Sequence, residues 1–468
     1  MAAMRREKDS LGSLEVPAGA YYGVQTQRAI ANFPISGRSM PREFIHAHAL
    51  LKKAAATVNC DLGLLKPRLA KSIIRACDEI IADADWTAGQ FPVDIYQTGS
   101  GTSTNMNVNE VVASRANEIL GGKRGDRSPI HPNDHVNMGQ SSNDTIPTSL
   151  QVMAEGMIRN DLQYATHELH ESLERKSKEF WPIIKTGRTH LQDATPIRLG
   201  QEFLGYAGQV EAAGINLIMV GDISLTFLPL GGTAVGTGIN AHPEFANRVC
   251  ALLSKWTEID FKVTSNHFTS QATLDAAAKA HSALRLLAVS LTKIANDIRW
   301  MGSGPRAGLG EIELPAVQPG SSIMPGKTNP VIAESLLMVC QRVIGNDAAM
   351  TAAAAGNNFE LAMSMPLAAH LLHESITLLA HGCRNFAVQC VDGIKATERG
   401  PELVERGLML ATALVPAIGY EEAAAIAKEA AATGRTIREV AREKTKLTDD
   451  QLAKLLDPSK MVGLGKHL

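Results

Sequence analysis

Aromatic side chains are scarce here. Phe, Trp and Tyr make up 4% of the 468 residues, against 45% hydrophobic residues in all. The apolar content rests on Ala, Leu, Ile, Val and Met, which suits packed helices better than sheets. An excess of one charge is also missing: 46 Lys and Arg against 48 Asp and Glu give a formal net charge of -2 and a pI near 6.7. No polybasic block argues for nucleic acid, and no acidic tail argues for a charged macromolecular partner. A small anionic substrate needs only local charge and stays open. The six cysteines, Cys60, Cys77, Cys250, Cys340, Cys383 and Cys390, include no Cys-x-x-Cys pair and read as free thiols in a reducing compartment. Met1 to Ser10 has basic residues but no apolar stretch behind them, which excludes a secretory signal. No long transit segment is expected either, since the recognisable body of the chain begins near the start, and no uninterrupted apolar run reaches the roughly 18 residues of a membrane span. The expectation is a cytoplasmic protein, with neither membrane nor nucleic acid as partner.

What is present is length and helical patterning. A chain this long suggests two or three domains. Ser39 can cap a helix that starts near Pro41 and stops before Gly63. Residues 88–104 read as loop, and a helix should follow through Val111 and Ala116 to Gly121-Gly122. Further helices are expected over 144–180, 196–222 and 331–355. Leu284, Leu287, Leu291, Ile294 and Ile298 recur three and four residues apart, a heptad-like seam that implies a bundle. Lys293, Asn296 and Asp297 beside that seam read as a polar flank or as a subunit contact. After Gly393, shorter amphipathic segments suggest a small C-terminal helical domain.

Four polar segments interrupt the helices, and loops on a rigid scaffold are where catalytic groups usually lie. Thr98-Gly99-Ser100-Gly101-Thr102-Ser103-Thr104-Asn105 offers hydroxyls and backbone N–H groups that can cradle a carboxylate or phosphate, though such runs are often mere loops. His131-Pro132-Asn133-Asp134-His135 has possible metal ligands but no distant third one, and Pro and Asn favour turn chemistry. Beyond it, Ser141-Ser142-Asn143 precedes a helix expected from Thr145, as an anion site or simply as an N-cap. Lys185 to Asp193 puts Thr189 beside His190, a usual proton carrier near neutral pH, although a lone His is often structural. Gly320 to Pro330 has glycines suited to a mobile loop, with Lys327 and Asn329 able to hold a carboxylate. Gly231 to Gly238 lacks the spacing and the strand–helix context of a dinucleotide fingerprint.

The Gly320–Pro330 segment resembles the signature loop of the fumarase/aspartase superfamily. The other three segments resemble the family's remaining conserved regions, in the same order, so the likeness runs from about Asp9 to Gly463. Within the superfamily the chain looks most like class II fumarate hydratase. Ser100, Ser142 and Gly326 stand where aspartases typically carry Ala, Thr and Ala, and Lys293–Arg299 with Gly302-Ser303-Gly304-Pro305 is also fumarase-like. Thr328, Ala362 and the Thr102-Ser103-Thr104 run depart from the fumarase pattern, which bears on substrate choice rather than on the chemical core.

The resemblance implies a mainly α, three-domain fold divided at 1–140, 141–396 and 397–468, with a long central helix bundle forming a tetramer core. It implies reversible addition of water to fumarate, giving malate. The hard step removes a weakly acidic proton next to a carboxylate, so donors preset around that carboxylate should matter most. By resemblance Ser321 is the general base, and His190, oriented by Glu334, handles the departing water. Lys327 and Asn329 stabilise the carbanion, Thr189 and Asn143 grip the substrate carboxylates, and Ser100, Thr102, Ser141 and Ser142 complete the pocket. His131, Asn133 and Asp134 resemble a secondary dicarboxylate site, or form a structural turn. The family's sites are shared by three chains of a homotetramer and need no metal or organic cofactor. The alternatives are an aspartate ammonia-lyase and a non-catalytic, crystallin-like relative.

Overall fold

The computed structural model describes residues 3–463. The strands among them are short and form two-stranded sheets, so helices carry the architecture. The chain divides into two compact units, each assembled from separated stretches. One comprises residues up to 163 with 215–286 and 341–379; the other comprises 164–214, 287–340 and 380 onward. The helices Leu199–Val220, Asp275–Met301, Val331–Ala355 and Met365–Gln389 each contribute residues to both units.

The seam expected on Asp275–Met301 is real: Leu284, Leu287, Leu291, Ile294 and Ile298 are all fully buried. Burying each is worth about 2 kcal/mol relative to exposure. Of the polar residues beside it, Lys293 pairs with Asp297 at 2.5 Å, and Asp297 accepts the Tyr206 hydroxyl at 3.1 Å. The run Leu199–Leu225 has the length and apolar composition of a membrane span, a property that core helices share, and Lys185 ion-pairs with its Glu202.

In the first unit, Arg42–Asp61 buries Phe44, Ile45, Leu51 and Val58 and packs against Pro67–Ile81, Ser142–Met157 and Phe245–Thr257. Pro41, not Ser39, precedes its first turn; Ser39 instead bridges Asp94. The helix expected from Thr145 begins three residues earlier, because Ser141 and Asp144 close a capping box that fixes the start. Thr102–Ile119 likewise begins inside the stretch expected to be loop.

In the second unit, Leu410, Leu414, Ile426, Ile437, Val440, Leu452 and Leu456 form a C-terminal core against which Ile184 packs. Ile184 opens the strand Ile184–Thr189, so this core seats the root of a hairpin whose tip bears His190. All six cysteines are free.

Candidate active site

Two helices of the first unit begin side by side. Thr102–Ile119 follows Gly101, whose φ is +72° and whose added Cβ would stand 2.8 Å from an Ile146 methyl, so only glycine fits. Ser142–Met157 follows Ser141, whose Oγ accepts the Asn143 N–H at 3.2 Å while its own N–H donates to Asp144 Oδ1 at 3.0 Å. A hydroxyl chain joins the two starts: Ser100 Oγ lies 2.8 Å from Thr102 Oγ1, which lies 2.7 Å from Ser142 Oγ. Two helix N-termini therefore bring their positive dipole ends beside one row of hydroxyls. That setting attracts a carboxylate without any formal side-chain charge.

The Gly231–Gly238 run braces this cradle. Asp144 Oδ2 accepts the N–H groups of Gly231 at 3.0 Å and Thr233 at 2.9 Å, and Asn143 Nδ2 donates to Ala234 O at 2.8 Å. Burial pushes the Asp144 carboxyl pKa up, against the pull of these N–H groups and of Lys52. No helix follows the run until Phe245, which removes the dinucleotide reading. Ala362, one of the departures from the family pattern, is buried and donates its N–H to Gln271 O at 2.7 Å.

His131, Asn133 and Asp134 lie in one tight turn. His131 Nδ1 is 3.3 Å from Asp134 Oδ2, and the His131 N–H donates to His135 Nδ1 at 2.8 Å. Asn133 and Asp134 are exposed.

In the second unit, Ile184–Thr189 and Gln192–Arg198 pair antiparallel, with Thr189 opposite Gln192. The two residues between them, His190 and Leu191, have φ of +55° and +59°. Left-handed backbone at two successive non-glycine residues is strained, and such strain clusters at functional sites. It turns an exposed imidazole outward at the tip. Buried and half-buried charges hold the hairpin's first strand. Arg188 donates to both Glu311 oxygens at 2.9 Å, and Lys185 reaches Glu202 at 2.9 Å and Glu311 at 3.1 Å. Burial works against the Arg188 charge, but the Glu311 hydrogen bonds and the attraction of Glu311, Glu202 and Asp193 together raise its pKa.

The Gly320–Pro330 segment is pinched at its neck. Gly320 N–H donates to Lys327 O at 2.9 Å, and Asn329 Nδ2 donates to Gly320 O at 2.6 Å. A Cβ on Gly320 would collide with Lys327 O, so glycine is required there. Within the loop, Ser321 Oγ accepts the N–H groups of Met324 at 2.9 Å and Ile323 at 3.3 Å. Residues 322–328 are exposed, including Lys327, Thr328 and, at 83%, Ile323. Glu334, in the first turn of Val331–Ala355, sits 3.9 Å from Arg299. Among the described residues of one chain, no hydrogen bond or ion pair joins Glu334 to His190.

The chain matches a lyase family model over residues 12–345 and the fumarase C C-terminus model over 410–463. The class II fumarate hydratase of Nitrosomonas europaea is 50% identical over 462 residues, covering 98% of this chain and 99% of that one. The chain belongs to the class II fumarate hydratase family. Among solved structures of similar proteins, the class II fumarase of Schistosoma mansoni superposes with a TM-score of 0.96 at 37% identity, covering 99% of this chain and 100% of that one. The fumarate lyase:delta crystallin of Brucella melitensis bound to cobalt gives 0.94 at 46%, covering 98% and 99%. Among the described residues here, no group of three or more His, Cys, Asp or Glu side chains is placed to hold a metal ion.

Sequence reasoning missed what supports this fumarate hydratase site. Lys52, Glu202 and Glu311 lie outside the four polar segments, and Asp144 and Lys185 lie within them with no role that the sequence assigns. Lys52 did leave a signal, since it lies four residues from His48 and eight from Phe44, on the buried stripe of its helix.

Proposed function

We propose that this chain catalyses the reversible anti addition of water to fumarate, giving L-malate, through a carbanion stabilised on the adjacent carboxylate. The observation that carries this reading is the pair of helix starts joined by Ser100, Thr102 and Ser142. They form an uncharged carboxylate cradle, and Ser141 and Asn143 lie at the same helix start. Dicarboxylate recognition then needs a second set of donors, which Thr189, Lys327 and Asn329 supply.

In the direction of water loss, Ser321 takes the proton next to the carboxylate. A serine is a weak base, and two backbone N–H groups already directed at its oxygen stabilise the alkoxide form. Lys327 and Asn329 meet the charge that builds on the carboxylate as the carbanion forms. His190 then protonates the departing hydroxide, oriented by Glu334. His131, Asn133 and Asp134 serve as a secondary dicarboxylate site near the entrance.

The working form is a homotetramer whose sites draw on three chains. Two observations support this. His190 and Glu334 do not meet within one chain, and the long helices expose Ile215, Met219, Val289 and Met338, each between 47% and 63%. Residues 141–396 supply the core helices of that assembly, 1–140 and 397–468 the flanking domains. Free thiols and balanced charge support a cytoplasmic setting.

The test offers purified protein L-malate, L-aspartate and argininosuccinate separately and follows the fumarate double bond by ultraviolet absorbance. Fumarate from malate alone is expected. Fumarate from aspartate instead overturns the reading.

A further inference from the structure

Lys52 lies in the middle of Arg42–Asp61 and is 0% exposed. Its ammonium reaches three side-chain amide oxygens: Asn105 Oδ1 at 2.8 Å, Gln140 Oε1 at 2.9 Å and Asn137 Oδ1 at 3.0 Å. Three N–H donors meet three acceptors, so the group is saturated. The acceptors are tied to one another as well, because Asn105 Nδ2 and Asn109 Nδ2 both donate to Asn137 Oδ1, at 3.2 and 3.1 Å. His48 completes the network, with Nε2 3.0 Å from Asn105 Oδ1 and Nδ1 2.8 Å from Ser149 Oγ. Asn105 Oδ1 can only accept, which assigns the neutral ring's proton to Nε2.

A buried ammonium held by neutral amides is costly, and an apolar side chain would fill the same space without that cost. Packing alone therefore does not account for it. Its partners do. Asn105 is three residues beyond Thr102, and Gln140 directly precedes Ser141. We propose that Lys52 is a positioning residue of the active site: it locks the first turn of Thr102–Ile119 to the turn before Ser141, and so sets the spacing of the two helix starts that receive substrate carboxylate. The proposal rests on the dicarboxylate reading of that cradle.

The charged state of Lys52 matters to the lock. His48 on its own helix, Asp144 on Ser142–Met157 and Cys77 on Pro67–Ile81 are the ionisable groups around it. Burial lowers the Lys52 pKa to about 7, against the upward pull of Asp144. Burial in turn keeps Cys77 a neutral thiol, its pKa pushed up to about 12. A neutral amine has two N–H groups for three oxygens, so one amide loses its donor and the two helix starts gain play.

The experiment compares KM and kcat of the parent, Lys52→Met and Gln140→Met, on fumarate and on L-malate, across the neutral range. Lys52→Met is expected to raise KM about tenfold with kcat within about threefold. The parent's KM should climb above neutral pH, and this climb should be absent from Lys52→Met. An unchanged KM, or a loss that only tracks the amount of folded enzyme, overturns the proposal. If Lys52→Met does not fold, Gln140→Met decides: it keeps the ammonium, removes one acceptor, and should raise KM about threefold; an unchanged KM overturns the lock. A parent inert on both substrates overturns the hydratase reading instead, a result distinct from an active parent whose variants match it.

Discussion

Arg188 grips both carboxylate oxygens of Glu311, each at 2.9 Å. Glu311 is 1% exposed, and Lys185 adds a further contact at 3.1 Å. The same strand carries Thr189 and leads into the strained turn at His190. Strained backbone persists only where its surroundings over-determine it. A buried ion cluster thus aims an exposed imidazole.

Removing Glu311 leaves two cations on the first strand of the hairpin, Lys185 and Arg188, without their shared partner. Glu311→Ala should cost about 3–5 kcal/mol of stability. Denaturant unfolding of parent and variant measures this, and a loss below about 1 kcal/mol would show that the cluster does not hold the hairpin.

Ser321 and Ser322 are adjacent, but only the Ser321 oxygen accepts the Ile323 and Met324 N–H groups. Ser321→Ala should lower kcat by about a hundredfold or more, while Ser322→Ala should stay within a few-fold. Steady-state malate dehydration distinguishes them. Equal, small effects would remove Ser321 as the base.

A site shared between chains can be rebuilt from two broken ones. His190→Asn and Lys327→Ala, each nearly inactive alone, should regain measurable malate turnover when co-expressed and co-purified as mixed tetramers. No recovery in verified mixed tetramers would mean that one chain supplies both residues to the same site.

The Lys52 charge also makes a stability prediction. Its pKa is about 7 in the folded protein and ordinarily 10.5. Between those values the unfolded chain binds a proton that the folded one does not, so stability rises with pH, by about 1.4 kcal/mol per unit from this group at most. Below that window both states hold the proton and the burial penalty stands in full. The difference in unfolding free energy between parent and Lys52→Met should therefore shift in the parent's favour by roughly 2–3 kcal/mol from pH 7 to pH 9. A constant difference would mean that Lys52 does not titrate there.

The seam from Leu284 to Ile298 was legible because a buried helix face repeats every three to four residues, and the capping residues at Ser141 were legible as a local pattern. Ser142 starts its helix three residues before the expected Thr145, because the Asp144 carboxylate accepts the Ser141 N–H and closes the capping box. The family's motif residues stood out as four polar interruptions of an apolar chain. Asp144 ends one of them, but its role did not show, since its carboxylate receives N–H groups from residues 231 and 233. Lys52 did not either, because its acceptors come from residues 105, 137 and 140, partners that chain distance hides. The left-handed turn at His190 was hidden by its second residue: histidine is enriched at positive φ, but leucine is not, so the pair does not read as a turn.

Each compact unit is stitched from three separated stretches, and four long helices contribute to both. No contiguous block can then be cut from the gene to yield one unit whole, and exchanging such a block with a relative would sever helices rather than trade modules. A single substitution severs nothing, and Thr328 is one such change, in an exposed loop.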